Sequence, residues 1–439
     1  MAESFSSRLP GFNKLAFEER LSLIASLCRL SPEEAVALYS HADLPVEIAS
    51  QMIENAIGVL GLPLGLGLNF RINGRDYLVP MAVEEPSVIA AVSLAAKIVR
   101  EAGGFTAKAD DALMAAQIQV MDYGDPLRAA EALRSHKDEL LTLANSFHPA
   151  MQRRGGGARD VEVRLLDAPE GPQAEPILVL HLLIDTRDAM GANLINTVAE
   201  GVAPMVEDLT GGKVLLRILS NLCDRRLASA SCRIPVEALA DFGMTGAEVA
   251  RGIWQASRFA LADPYRAATH NKGVMNGVDA VAIATGNDWR AIEAGAHAFA
   301  SRSGRYGPLS TWVVEGQELI GRIELPLAVG TVGGPIKVHP HVRLMHRLLG
   351  AKSARELAQV MAAVGLAQNL AALRALGTVG IQKGHLALHA RCVAVEAGAR
   401  PEQVERLADL LVRGGLIKVE KARELLRAMP PPSATGTTG

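Results

Sequence analysis

The chain has 439 residues, which predicts roughly two to four domains rather than one large core. Hydrophobic residues make up 49% of the sequence and charged residues 21%, and this balance excludes a wholly disordered chain. Lys and Arg number 45 against 47 Asp and Glu, so the net charge of −2 offers no positive field to a nucleic-acid backbone. Nucleic acid is therefore not an expected partner.

The cysteines and the start of the chain bear on its location. The 4 cysteines are scattered without a CxxC pair, which indicates neither a disulfide framework nor a structural zinc site. The first residues are charged where a signal peptide would be apolar, and no apolar run is long enough to span a bilayer. These features predict a cytoplasmic protein without membrane contact.

The first third of the chain predicts helices followed by a hairpin. Strand-like residues in 67–84 surround Asn73-Gly74, which favours a type I′ turn because both turn residues take positive φ. Pro86 predicts the first position of a helix that runs to about Arg100. Glu85 is then expected at a corner between a strand and a helix.

Residues 112–220 contain six predicted elements in the order βαββαβ. The strands are expected at 116–121, 161–165, 176–185 and 213–220, and the helices at 125–145 and 192–209. This order predicts a ferredoxin-like module, an antiparallel sheet with two helices on one face, and differs from the βαβαβ series of a Rossmann half. We therefore expect an inserted domain here.

The remaining sequence completes the expected fold. Residues 221–378 are a mixed, glycine-rich stretch that continues the first domain, and helices follow at 385–397, 401–413 and 419–428 before a tail expected to be disordered. The prediction is a mixed α+β chain: a large helix-rich domain at 1–111 and 221–378, an inserted ferredoxin-like domain at 112–220, and a small helical C-terminal domain at 379–439.

The segment 263–304 is the densest polar cluster in the chain. It sets Arg266, Lys272, Asn276 and Asp288 among small residues, as expected where backbone approaches a substrate closely. An ammonium such as that of Lys272 can stabilise a developing alkoxide, and a carboxylate beside it keeps it protonated. Asp288 is a candidate for that carboxylate.

Glu85 has two interpretations. Burial at the corner would raise its pKa and suit it to general acid catalysis. Alternatively, the side chain caps the helix that follows, where the helix dipole would lower its pKa. The pattern of residues favours neither.

The segment 184–204 places Asp188, Met190 and Gly191 between a strand and a helix. Free backbone N–H groups at such a helix start can bind a phosphate, although a glycine there is also ordinary turn chemistry. The GGG sequence at 155–157 is a second flexible turn in the same module. Together the two turns favour nucleotide binding modestly.

Two groups of histidines have spacings that invite a metal interpretation. His385 and His389 share one face of a helix, but Leu386 stands where the HExxH motif has glutamate. The histidines of HPHVRLMH, at 339–346, have no nearby Cys or acid. We expect no metal, and a single catalytic histidine at 385.

Eight motifs occur in the order of a known family. They are ENAIG (54–58), VEEPS (83–87), DAMGAN (188–193), RILSN (217–221), DPYRAATHNKG (263–273), ATGNDWRA (284–291), VGLAQNL (364–370) and GHLALHAR (384–391). The chain resembles the class II, bacterial-type 3-hydroxy-3-methylglutaryl-coenzyme A reductases from Ser7 to the helix after Pro401.

The resemblance implies a four-electron reaction that interconverts (R)-mevalonate and CoA with 3-hydroxy-3-methylglutaryl-CoA (HMG-CoA), through mevaldyl-CoA and mevaldehyde, with two NAD(P)(H). By motif position the catalytic residues are Glu85, Lys272, Asp288 and His385, the substrate-binding residues Ser87, Arg266 and Asn276, and the cofactor-binding residues His148, Asp188, Met190, Gly191, Asn193 and Asn221. Lys272, hydrogen-bonded to Asp288, would stabilise the oxyanion. His385 would protonate the departing CoA thiolate, and Glu85 would supply a proton as the aldehyde is reduced.

The resemblance also implies partners and cofactors. Members are homodimers, in some cases larger assemblies of dimers, with sites between subunits and a mobile C-terminal flap. NAD-using members carry an acidic residue after the LAN motif, where this chain has His148 with Arg153 and Arg154 close by. We expect NAD as the preferred cofactor, with NADP as the alternative. Members also carry a basic residue near the N-terminus for CoA, where this chain has Asn13.

Two other classes of protein remain as alternatives at this stage. One is a CoA-dependent acyl transferase or thioesterase that uses His385 as a base without nicotinamide. The other is a catalytically silent nucleotide-binding regulator.

Overall fold

The structure, a computed structural model, describes residues 6–39, 44–167, 175–378 and 380–429. The tail predicted to be disordered, from residue 430 onward, lies outside the described residues. The strands of the described part are β1 (Leu64–Ile72), β2 (Arg75–Ala82), β3 (Thr106–Ala109), β4 (Leu113–Met121), β5 (Gly157–Leu166), β6 (Ile177–Asp185), β7 (Lys213–Leu219), β8 (Leu227–Pro235), β9 (Ser310–Glu315) and β10 (Glu318–Pro326).

Helices make up most of the remaining described chain. They are α1 (Phe17–Leu27), α2 (Pro32–Tyr39), α3 (Val46–Met52), α4 (Val88–Glu101), α5 (Pro126–Ser135), α6 (Lys137–Ser146), α7 (Pro149–Arg153), α8 (Ala192–Thr210), α9 (Gly246–Ala262), α10 (Pro264–Ala284), α11 (Trp289–Ala300), α12 (Pro335–Val338), α13 (Pro340–Leu349), α14 (Ala354–Leu376), α15 (Ile381–Glu396), α16 (Pro401–Arg413) and α17 (Val419–Ala428). The mixed α+β class predicted from the sequence is confirmed.

Helix α14 lies at the centre of the largest hydrophobic core. Its 23 residues are buried on nearly every side, and it packs against α4, α9, α10, β3, β8 and β10. It is the one helix in the described part of the chain that is long and apolar enough to cross a bilayer, but 78% of its apolar window is buried inside the protein. Its composition is therefore that of a core helix.

The strands of the described residues form three antiparallel sheets. The hairpin β1–β2 forms one sheet, and its turn is at Asn73 and Gly74, both at positive φ, as predicted. The second sheet has the order β3-β8-β10-β9 and packs against α14. The third has the order β5-β6-β4-β7 and belongs to the module predicted from the βαββαβ pattern.

The third sheet has ferredoxin-like topology. Its strands occur in the chain as β4, β5, β6 and β7, and helices α5, α6 and α8 pack against the sheet. A second hydrophobic core of residues from these strands and helices is separate from the core around α14. The single helix predicted at 125–145 is two helices, because the chain breaks at His136 between α5 and α6.

Helices α15, α16 and α17 form a small unit with a hydrophobic core of their own, built around Leu407, Leu411 and Ala422. A short connection that includes Gly377 and Gly380 joins this unit to the end of α14.

The helix after the hairpin begins later than Pro86 predicted. Helix α4 begins at Val88, and Ser87 before it has a φ of 75° in the left-handed region. A non-glycine residue in this region is strained, and such strain concentrates at functional sites. The prediction that Pro86 occupies the first helical position is therefore wrong, because the chain makes one further turn before the helix.

An extended apolar segment, residues 53–64, lies on the surface. Ile57 is 103% exposed and Leu60 is 92% exposed. A contiguous exposed apolar segment of this kind marks a surface that another molecule covers. The segment includes the ENAIG motif at 54–58.

Candidate active site

Glu85 and Lys272 form an ion pair where the hairpin sheet meets α10. The ammonium Nζ of Lys272 donates to Oε2 of Glu85 at 2.6 Å, and Nδ2 of Asn276 donates to the same oxygen at 3.3 Å. Both members remain partly accessible, with 61% of the Lys272 side chain and 38% of the Glu85 side chain exposed. The pair is therefore open to a ligand, and Glu85 does not act as a helix cap.

The sequence of α10 explains how these side chains reach Glu85. Asp263 caps the helix by accepting from the N–H groups of its first turn, and Pro264 fits the first helical position. Lys272 and Asn276 are four residues apart and so share one face of the helix. On another side, Gly277 lets α14 approach, because a Cβ there would lie 3.0 Å from the Cβ of Gln368.

Ser87 has a side chain that the protein leaves unsatisfied. Its Oγ is buried, finds no hydrogen-bond partner among the described residues and does not cap α4. A buried hydroxyl without a partner costs stability unless a ligand satisfies it. Ser87 lies two residues after Glu85, so a substrate at the ion pair can supply that partner.

Arg266 and His270 occupy neighbouring turns of α10. Burial lowers the pKa of the Arg266 guanidinium, which makes no ion pair among the described residues. His270 is buried and bonded through Nε2 to Ser310, and burial, with a contribution from Arg266, lowers its pKa to about 4. His270 is therefore neutral at physiological pH, and Arg266 is the cation available to an anionic ligand.

Asp288 is not beside Lys272 within the chain. It caps α11 by accepting from the N–H of Ala291, and its carboxylate lies 3.7 Å from Arg290. The prediction that Asp288 is the carboxylate next to Lys272 is wrong for a single chain, because Glu85 occupies that place.

Helix geometry shows how far apart these residues are. Helices α10 and α11 are side by side, with the carboxyl groups of Asp279 and Glu293 hydrogen-bonded to each other. Lys272 is separated from Asp279 by a stretch of α10, and Glu293 is separated from Asp288 by a stretch of α11. At a rise of about 1.5 Å per residue, the lengths of these two stretches add to about 18 Å. The side chains of Lys272 and Asp288 cannot span that distance.

The DAMGAN segment forms a tight loop between β6 and α8. Gly191 has a φ of 103°, and a Cβ there would lie 2.4 Å from Thr186. The loop ends at the N-terminus of a 19-residue helix that no side chain caps, so its first N–H groups are free to bind an anion. Asn193 lies exposed in the first turn of that helix.

Arg226 anchors this loop, a role that sequence reasoning missed. Its guanidinium is buried and donates to Oγ1 of Thr186 and to the carbonyl oxygens of Ala189 and Met190. Burial lowers the pKa of Arg226 to about 10. No local motif marks this residue, because its partners, a threonine hydroxyl and backbone carbonyls, are far away in the sequence.

Asp188 connects the loop to the core helix. Its carboxylate accepts from the N–H of Ala354 at the start of α14, at 2.9 Å. Gly330 lies close to the same loop, since a Cβ there would be 2.6 Å from the N of Met190. The N–H of Gly330 donates to the side-chain oxygen of Asn287, the neighbour of Asp288. The backbone carbonyl oxygen of Asn221 lies against Gly295 of α11, 2.7 Å from where a Cβ of residue 295 would be. The loop and Asp288 are thus near each other.

The GGG turn lies beside the end of β6. A Cβ at Gly156 would be 2.7 Å from the carbonyl oxygen of Asp185, so only glycine fits. Arg187 lies over the turn and donates through Nε to the carbonyl of Arg154. His148 precedes α7, and its Nε2 is buried with no hydrogen-bond partner among the described residues. Most of the predicted nucleotide-binding residues therefore lie around the two glycine turns, whereas Asn221 lies against α11.

The predicted site residues form two clusters, and these lie far apart within one chain. Asp188 contacts Ala354 at one end of α14, whereas Gly273, next to Lys272, lies near Ala372 at the other end. The rise along α14 places these two points about 27 Å apart. One cluster holds Glu85, Lys272 and Asn276, and the other holds the nucleotide loop and Asp288.

His385 lies in α15, where the structure describes its backbone but not its side chain. His389, one turn further, is exposed. In the described part of the chain no group of three or more His, Cys, Asp or Glu side chains is arranged to hold a metal ion.

Comparisons with known proteins assign the chain to a family. Residues 16–390 match the family model described as hydroxymethylglutaryl-coenzyme A reductase. A 3-hydroxy-3-methylglutaryl-coenzyme A reductase of Archaeoglobus fulgidus is 49% identical over 97% of this chain and 95% of its own, and a probable one of Borreliella burgdorferi is 36% identical over 88% and 86%.

Solved structures agree in fold. The reductase of Streptococcus pneumoniae superposes with a TM-score of 0.81 at 46% identity, covering 96% of this chain and 99% of its own. A class II reductase structure from the same organism, bound to NADPH in open conformations, has a TM-score of 0.79 at 48% identity and covers 84% of this chain and 99% of its own.

The match to the family model over residues 16–390, together with the shared fold, identifies an oxidoreductase that uses a nicotinamide cofactor and CoA. The chain belongs to the hydroxymethylglutaryl-coenzyme A reductase family, in its class II. Its reaction interconverts mevalonate and CoA with HMG-CoA. The alternative of a transferase or thioesterase without nicotinamide has no support from these comparisons.

Proposed function

We propose that the Glu85–Lys272 pair is the catalytic centre of this reaction. A positive charge at Nζ of Lys272 stabilises negative charge that develops on the substrate oxygen as hydride reaches the carbonyl carbon. Glu85, bonded to that ammonium at 2.6 Å, supplies or accepts the proton on the same oxygen. The single observation that carries this assignment is the direct contact between an exposed lysine and a carboxyl group.

Three residues around the pair bind the substrate. Ser87 offers its unpartnered buried hydroxyl, Arg266 an unpaired guanidinium, and Asn276 an amide on the same helical face as Lys272. A guanidinium binds a carboxylate with two parallel hydrogen bonds, so Arg266 suits an acidic substrate. His385 completes the site by protonating the CoA thiolate as it leaves.

The protein works as a homodimer whose sites combine residues of two subunits. Lys272 and Asp288 are about 18 Å apart in one chain, so a pair between them requires the Asp288 of a second copy. The exposed apolar segment 53–64, with Ile57 and Leu60 fully accessible, is the surface that the second copy covers. The nucleotide loop, which lies near Asp288, then serves the Lys272 of the other subunit.

The residues around the glycine turns fit a dinucleotide. The free N-terminus of α8 suits a pyrophosphate, and the buried, unpartnered Nε2 of His148 suits a ribose hydroxyl. When bound, the nicotinamide ring donates or accepts hydride. The chain supplies the anchoring groups and keeps the loop rigid through Arg226.

NAD is the preferred cofactor in this proposal. A 2′-phosphate needs an unpaired cation. Arg159 and Arg187 both form ion pairs with Asp185, at nitrogen–oxygen distances of 3.3 and 3.5 Å, so part of their charge is already neutralised. The related Streptococcus pneumoniae enzyme is described bound to NADPH, and exposed Arg153 and Arg154 are the residues through which this chain would accept NADP.

We propose the same division of the chain that the sequence predicts. The large domain, 1–111 and 221–378, carries Glu85 and Lys272, residues 112–220 bind the nucleotide, and helices α15 to α17 form the flap that brings His385 to the site. We propose that the enzyme acts in the cytoplasm.

The direct test of the function is a spectrophotometric assay. Mevalonate, CoA and oxidised nicotinamide cofactor are added to the purified protein, and the absorbance of reduced nicotinamide is followed. We expect the absorbance to increase only when all three are present. Release of CoA from HMG-CoA without any nicotinamide would contradict the proposal and support a thioesterase.

A further inference from the structure

A chain of polar side chains runs between α10 and α11, outside the residues assigned above. Glu293 accepts from Nε2 of His297 at 2.6 Å, Nδ1 of His297 is 2.7 Å from the hydroxyl of Tyr306, and Asn271 donates to that hydroxyl at 3.0 Å. At the other end, the carboxyl groups of Asp279 and Glu293 are hydrogen-bonded to each other. Asn271 is the residue next to Lys272.

Two carboxyl groups bond to each other only if one of them holds a proton, because a carboxylate has no donor. Glu293 already accepts from His297, which favours its ionised form. Oδ1 of Asp279 is buried with no hydrogen-bond partner in the described part of the chain, a poor environment for a negative charge. Both observations assign the proton to Asp279.

The position of Asp279 relates this proton to the active site. Lys272, Asn276 and Asp279 occur at spacings of four and three residues, so they follow one another along one face of α10. Asn276 contacts Glu85 directly, and Asp279 is one turn further along. A negative charge at Asp279 would attract Lys272 away from Glu85 and repel an acidic substrate.

We propose that Asp279 is a positioning residue that stays protonated during catalysis and keeps this face of α10 free of negative charge. It acts through its neighbours on α10 and does not touch the substrate. The charged group beside it is Glu293 on α11, which is paired with His297, whereas Lys272, paired with Glu85, lies about two turns away along α10. Burial and Glu293 raise the pKa of Asp279 to about 9, in agreement with this role.

A spectroscopic measurement tests the proton without using activity. In the infrared difference spectrum of wild-type protein minus Asp279→Asn at neutral pH, we expect the carbonyl band of a protonated carboxylic acid. A difference spectrum that contains only carboxylate bands would overturn the proposal. This readout holds even if the proposed catalytic roles fail, so the two failures are distinguishable.

A kinetic comparison tests the positioning role, which rests on the proposed function. We expect Asp279→Asn to keep neutral-pH activity, because an amide is neutral and of the same shape, and Asp279→Leu to lose about tenfold in kcat/KM, the equivalent of one hydrogen bond. In wild type, KM for HMG-CoA rises as Asp279 ionises in alkaline solution, and in Asp279→Asn this rise disappears. An identical rise of KM in both proteins would contradict the role.

Discussion

Nζ of Lys272 lies 2.6 Å from Oε2 of Glu85, although the two residues are 187 positions apart in the chain. The carboxylate stabilises the ammonium, and the ammonium occupies the place where substrate charge develops in the proposed reaction. Because both side chains remain partly exposed, a substrate oxygen can enter beside them.

Lys272→Ala should lower kcat in both directions by about 10²- to 10³-fold, as expected when one oxyanion donor is removed. The circular dichroism spectrum and the oligomeric state should not change, because most of the lysine side chain is exposed. Lys97→Ala, an exposed lysine on α4, is the matched control. Near-normal turnover of Lys272→Ala would exclude the lysine from catalysis.

His385→Gln should affect one half of the reaction more than the other. The imidazole is needed where the CoA thiolate leaves or attacks, whereas reduction of free mevaldehyde involves no thiolate. We expect the rate with HMG-CoA to fall far more than the rate with added mevaldehyde. His389→Gln, one turn along the same helix, is the control. Equal losses on both substrates would argue against this role.

Ser87→Gly should separate stability from substrate binding. Glycine accepts a φ of 75° without strain, so the free energy of unfolding should increase by about 1 kcal/mol, as judged from urea unfolding. The lost hydroxyl should raise KM for HMG-CoA. Ser87→Ala keeps the strain and should raise KM with a smaller gain in stability, which comes only from removing the unpartnered hydroxyl. An unchanged KM in both variants would remove Ser87 from the substrate site.

The cofactor preference can be measured by comparing kcat/KM for NAD⁺ and NADP⁺ at neutral pH. We expect NAD⁺ to be preferred, and His148→Asp to widen the difference, because a carboxylate repels a 2′-phosphate. Wild-type preference for NADP⁺ would overturn the assignment. Loss of that preference in Arg153→Ala or Arg154→Ala would then identify the cation responsible.

Stability should depend on pH through Asp279. Its pKa is raised from 3.8 to about 9 in the folded state, so the stability that the protonated acid contributes is complete below about pH 4 and is lost as the pH rises through the folded value. We expect the free energy of unfolding of wild type, relative to Asp279→Asn, to decrease across this range. A constant difference between the two proteins would show that Asp279 does not titrate there.

The sequence was informative where the signal was local. The order of periodic segments predicted the ferredoxin-like module, and Asn73-Gly74 predicted the hairpin, because turn chemistry and hydrophobic period depend on neighbouring residues. The position of Glu85 at a corner followed from the same rules. The break at His136 was missed because the amphipathic pattern continues across it.

Long-range features of the site could not be predicted in this way. Within one chain the partner of Lys272 is Glu85 rather than Asp288, and this depends on how α10 packs against β2. The burial of Arg226 against backbone carbonyls has no sequence signal at all. The left-handed conformation of Ser87 was hidden by Pro86, which favours a helix start two residues too early.

Mixed dimers test most directly whether Lys272 of one subunit works with Asp288 of the other, as we propose. Lys272→Ala and Asp288→Asn chains with different affinity tags are co-expressed, and dimers carrying both tags are purified. Asn still caps α11, so the second variant removes charge without loosening the helix.

Each variant should be nearly inactive as a homodimer. In the mixed dimer one site receives both substitutions and the other receives neither, so we expect about half of the wild-type activity when subunits share sites. If both residues acted within the same chain, every site would carry one substitution, and mixed dimers as inactive as the two parents would contradict the claim.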